Sequence, residues 1–219
     1  MAYTEQEAAR LIALIQSVES HKEHPYAAPT YRDTPALQEL DAMVHGKLEA
    51  EPERDQDTLE DSIIVLRFLS ESYMKQWKIR YAQHRYKELL ELETELYSRF
   101  DIRDENCGQD YHQALAARNI YQKDPCPDLS ALVADMLPDA VRQQTEQQVF
   151  QQYPGLKHDP VELTDAYLSV IDEVERRIAE ADPAPVHPME RSIRRAELLR
   201  EYGVIWQSEI QLNPRVHFD

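Results

Sequence analysis

Asp41, His45 and Glu49 recur every four residues, so a helix carries all three on one face. An imidazole between two carboxylates can hold a divalent ion or pass a proton. A metal centre needs further ligands, and Glu-x-x-His or Asp-x-x-His pairs, by which helical bundles hold two metals, do not occur in the chain. The triad is therefore read as a row at the solvent edge, and no cofactor is expected. His21 and His24, three apart before Pro25, are read as residues that the negative end of a helix favours. Cys126 lies in Lys-Asp-Pro-Cys-Pro-Asp, with no histidine close in sequence to activate a thiolate. It and Cys107 are expected in loops, as free thiols suited to a reducing compartment.

A second constellation is aromatic. Trp77, Tyr81, His84 and Tyr86 crowd one part of a stretch from Glu53 to Cys107 that contains no proline or glycine. Core packing is the ordinary use of aromatics at helical spacing, but a pocket lined by these four side chains would suit a small ligand if the helix kinks there. Trp206 and Ile210 in the C-terminal tail are the third set, candidates for an interface.

The long stretch must position most of these groups. Leu59, Ile63, Leu66, Leu69, Tyr73, Trp77 and Tyr81 draw one apolar stripe, and Leu89, Leu92, Leu96 and Phe100 draw another more than a quarter turn away. One straight helix over 58–100 would span roughly 65 Å, against a diameter of about 45 Å for a compact chain of this size. A kink or tight turn within Arg80–Tyr86, or an elongated molecule, is expected. Asp57 and Thr58 supply the start signal.

Around it, Thr4 with Glu7 forms a capping box ahead of Ala8, Leu11, Ile12, Ile15 and Val18. Thr34-Pro35 opens a helix with the stripe Leu37, Leu40, Val44 and Leu48. Residues 101–110 read as a loop and a possible subdivision. Shorter helices follow over 111–121, 129–136 and 138–152, the last stopped by Pro154 and Gly155. Asp159-Pro160 begins one helix from Val161 to about Ala181. A proline-rich linker, 182–188, leads to a last helix, Met189–Tyr202, with Gly203 as its left-handed cap. Beyond it Val204, Trp206, Ile210 and Leu212 suggest an extended tail lying along the helices, with Pro214 confining any strand to an edge. The segment Arg-Tyr-Lys-Glu-Leu-Leu-Glu-Leu has no second or third copy, so no helical repeat is assigned.

The fold expected is an all-α, multi-helix bundle of seven or eight helices, one domain over residues 1–219, with a long, kinked central helix and an extended C-terminal tail. The formal charge of −17 disfavours direct binding to nucleic acid or anionic membrane. Much of it is local: the first 61 residues hold 14 acids and 5 bases, a net of −9, and Glu49–Asp61 alone holds seven acids and one base, Arg54. Arg191, Arg194, Arg195 and Arg200 are offset by acids, with five of each over 189–219, and make no nucleic-acid footprint. No apolar run is long enough for a membrane span, and the N-terminus lacks signal-peptide features, so a cytoplasmic location is expected. The leading functional expectation is contact with a protein partner or self-association as a homo-oligomer, through the acidic N-terminal part and the aromatic tail. The alternatives are a ligand-binding protein or enzyme with its site at the kink, and an acidic mimic of nucleic acid.

Overall fold

A computed structural model describes residues 3–21, 29–121, 126–152, 156–181 and 187–216. Helix accounts for 76% of the described residues, and no strand occurs among them. The helices are α1 (Glu5–Ser20), α2 (Thr34–Ala50), α3 (Gln56–Lys75), α4 (Ile79–Phe100), α5 (Cys107–Asn119), α6 (Pro127–Leu132), α7 (Asp139–Gln152), α8 (Asp165–Leu168), α9 (Ile171–Ala181), α10 (Pro188–Glu201) and α11 (Glu209–Leu212). Single 3-10 turns precede α2 (Tyr31–Asp33) and α8 (Pro160–Leu163). His24, the Pro154–Gly155 stop and most of the 182–188 linker lie outside the described residues.

The long central stretch is two helices. α3 and α4 pair as an antiparallel hairpin, in which Arg67 reaches Glu93 and the Tyr73 and Tyr81 rings meet at 5.4 Å. The reversal occupies Gln76–Lys78, ahead of the expected window at Arg80–Tyr86, and turns on Trp77, whose φ of 61° is left-handed. That conformation costs an L-residue about 1–2 kcal/mol, so packing around the tryptophan must hold it. The reversal also explains the change of stripe. Leu59, Ile63, Leu66, Leu69 and Tyr73 face the core from α3, and Leu89, Leu92 and Leu96 face it from α4. Each fully buried leucine contributes roughly 1.5–3 kcal/mol.

Helix starts follow side-chain chemistry closely. The Thr4–Glu7 box is formed at α1, with both reciprocal hydrogen bonds. At α3 the cap is Asp55, two residues before the expected Asp57: its carboxylate accepts from the Thr58 N–H at 2.9 Å and hydroxyl at 2.6 Å. Those bonds hold the Asp55 carboxyl down at about 2. On α1 the buried residues are Leu11, Leu14 and Val18, while Ile12, expected inside, is 55% exposed. The single helix expected over 161–181 is broken into the 3-10 turn, α8 and α9. Thr164 intervenes in extended conformation and caps α8 through the Tyr167 N–H, a local bond that competes with a continuous helix.

The buried apolar side chains form two clusters. The larger is built by α1–α7 and continues across the 101–106 loop, since Leu96 and Cys107 both belong to it. Cys107 begins α5 rather than lying in a loop; it and Cys126 are buried free thiols. The smaller cluster joins Tyr167, Leu168, Ile171, Val174, Ile178, Leu199, Val204 and Trp206. α10 ends as the glycine predicts: Gly203 takes φ 77° and donates to the Arg200 carbonyl, and Val204 donates to that of Leu199. The chain then runs extended with Val204, Trp206 and Ser208 buried and Ile205 77% exposed. It finishes in α11, a helical turn capped by Ser208 and Gln211, in place of an edge strand.

Candidate functional site

The Asp41–His45–Glu49 row lies where α2 crosses α4, and α4 changes its chemistry. Nδ1 of His45 is 2.7 Å from the Asp41 carbonyl oxygen, an acceptor only, so that nitrogen carries a proton. Nε2 lies 3.2 Å from Glu88 Oε2 and 2.9 Å from Arg85 Nη1. A charged imidazole donates to Glu88; a neutral one accepts from Arg85. The hydrogen bond to Glu88 is the main reason that the imidazole is held above its ordinary value of 6.5. Arg85 also bonds Asp41 at 2.9 Å. The nitrogen that a metal would take is thus already engaged, and Glu49 stands outside this network.

Glu49 instead lines an open groove of about 300 Å³ beside it, with His45, Leu48, Arg54, Glu88, Glu91, Leu92 and Glu95. The two leucines supply apolar surface and four glutamates supply charge. Glu91 pairs with Lys87, and Glu95 with Arg54 at 2.6 Å and Arg99 at 2.5 Å. Arg54 is the only base of the 49–61 run, and it is spent on Glu95 and the Leu48 carbonyl. Farther along that run Asp57 and Asp61 have no basic partner among the described residues. Partial burial, with Asp57, Glu60 and Asp55 close by, raises the Asp61 carboxyl.

The four aromatic candidates do not come together. Trp77 sits at the helix reversal, Tyr81 is 38% exposed against Tyr73, His84 is exposed, and Tyr86 is fully buried in the core. Trp77 joins a different group. Its indole N–H donates to Glu162 at 2.8 Å; the Trp206 indole donates to the other oxygen at 2.6 Å, and the Tyr121 hydroxyl donates as well. The His158 ring meets Trp77 at 4.7 Å and Tyr121 at 5.8 Å, tilted to both. Trp206, an interface candidate from sequence, is therefore buried within its own chain, and Ile210 is half-buried in α11.

Another polar cluster lies inside the bundle. Arg67 on α3 bonds Asp110 of α5 at 2.8 Å, Glu93 of α4 at 3.1 Å and Asp104 at 2.9 Å. Oxygens of the three acids lie within 4.8 Å of one another, a spacing that admits a metal ion, but the guanidinium already provides positive charge there. Burial first, then the neighbouring Asp110, pushes Glu93 up to about 9, so it holds a proton at neutral pH. The Cys107 thiol beside it is raised by burial and by Glu93, the opposite of an activated nucleophile. Sequence reasoning missed Glu93, although its place between Leu89 and Leu96 puts an acid on the apolar stripe. Glu162, Tyr121 and Lys78 gave no comparable signal, since their partners are distant in the chain. No helix is long and apolar enough to cross a membrane among the described residues. No known protein family, curated protein or solved structure matches this chain.

Proposed function

We propose that the protein acts by binding a protein partner, and that the partner presents a basic segment to the groove between α2 and α4. The observation that carries this reading is the groove itself, where Leu48 and Leu92 lie among Glu49, Glu88, Glu91 and Glu95. Such a lining suits the aliphatic stem and charged head of a lysine or arginine side chain. The 49–61 run extends the negative field beyond it, which favours rapid, salt-sensitive encounter with a positive surface. Trp206 of the tail is engaged by Glu162 of its own chain.

The test is affinity capture with the full chain beside the Glu49→Lys/Glu91→Lys variant. Glu49 is exposed and Glu91 half-exposed, so the change leaves the core alone. Retained partners are expected to be basic, to fall away as salt rises towards about 0.3 M, and to be lost with the variant. Equal recovery by both proteins, indifferent to salt, contradicts the reading.

A further inference from the structure

The two apolar clusters meet along a seam made of polar contacts. On one side stand Thr34, the closely spaced Trp77, Lys78 and Arg80 around the start of α4, and Tyr121. On the other stand three acids, Glu162, Asp165 and Asp172. Lys78 reaches Asp172 at 2.8 Å and Thr34 at 2.9 Å, and Arg80 reaches Asp165 at 2.6 Å. Glu162 takes Trp77, Tyr121 and Trp206, as described above. Ile79 is buried between these groups but belongs to neither cluster.

Polar seams separate more readily than apolar ones, because water replaces the lost partners. Two features set this one apart from an ordinary polar contact. Trp77 is held in a left-handed conformation, and strain in a bulky residue persists only where its surroundings over-determine it. Glu162 is buried with three neutral donors and no ion pair among the described residues, so its position depends on all three bonds being made at once.

We propose that the seam is a latch with Glu162 as its catch. The C-terminal unit, described over residues 156–181 and 187–216, opens and unfolds away from the α1–α7 bundle while the bundle stays folded. Opening uncovers Trp77, Lys78 and Tyr121 on one side and Glu162 and Asp172 on the other, and frees Arg80 from the exposed Asp165. Both tryptophans of the chain donate to this one carboxylate, so intrinsic fluorescence reports directly on the catch.

Native-state hydrogen exchange on the full chain, at denaturant below the unfolding transition, tests this. Amides of α9 and α10 are expected to exchange at least about tenfold faster than those of α3–α5, a free-energy gap of at least about 1.4 kcal/mol. Glu162→Gln is expected to widen the gap, with α3–α5 unchanged and tryptophan emission shifted to the red. Exchange of both regions through one common opening in the wild type overturns the proposal, whether or not the variant folds. So does a Glu162→Gln effect spread equally over both.

Discussion

Along the seam, Glu162, Asp165 and Asp172 each meet a donor supplied by a distant part of the same chain. In the bundle interior, Glu93, Asp104 and Asp110 share Arg67. In the α2–α4 groove Glu88, Glu91 and Glu95 also pair with Arg85, Lys87 and Arg54. Glu49 and, along the run that leads from it, Asp57 and Asp61 have no such donor among the described residues, and Arg54, the only base of that run, faces α4. The contrast separates two uses of acid. Acids answered within the chain, most of them buried, fix its architecture, whereas exposed acids left without cations contribute little to the fold and are free to meet a partner. Their mutual repulsion is a cost that a basic surface would relieve.

This contrast predicts opposite outcomes for substitutions on its two sides. The largest effect belongs to Arg67→Met, which leaves three acids in the bundle without their cation. Unfolding in urea is expected to show a loss of about 3–5 kcal/mol; a loss below about 1 kcal/mol would mean that the cluster is not tied together as described.

Next is Glu93→Gln. The folded protein holds the Glu93 proton up to about 9, whereas the unfolded chain releases it near 4.5, so this residue makes stability fall as pH rises between those values. The neutral amide removes that slope. The variant is expected to be more stable than the wild type at pH 8 by about 1–3 kcal/mol, with the difference vanishing towards pH 4.5. An unchanged slope would place the proton elsewhere.

His45→Gln sharpens the comparison at the groove edge. The His45 pKa is raised on folding, so its favourable contribution is complete below pH 6.5 and is lost as pH rises through the folded value. Replacing it should flatten stability across that window by less than about 1 kcal/mol, as befits a partly exposed network. A titration of the His45 ring by NMR checks the direction.

Local signals in the sequence were legible. The Thr4–Glu7 box, the Leu37–Leu40–Val44 face and the Gly203 cap all follow from chemistry within one or two turns, and the structure contains them. Seeing the reversal at residues 76–78 required a fact that sequence does not carry: a tryptophan in left-handed conformation, where glycine would have announced the turn. The helix over 161–181 read as continuous because its apolar spacing is continuous, while the Thr164 side chain competes locally for the backbone. Of the site residues, Asp41 and His45 do lie together, but Arg85 and Glu88, which decide their chemistry, come from another helix. Glu162 was the hardest to foresee, since Trp77, Tyr121 and Trp206 reach it from three separate segments.

The most direct measurement is an NMR titration of the labelled protein with a short lysine-rich peptide, repeated at raised salt. Shifts are expected to concentrate on His45, Leu48, Glu49, Glu91 and Leu92, to be suppressed by salt and to be absent in Glu49→Lys/Glu91→Lys. Shifts scattered evenly over every acidic surface, or confined to the seam, would contradict binding at the groove.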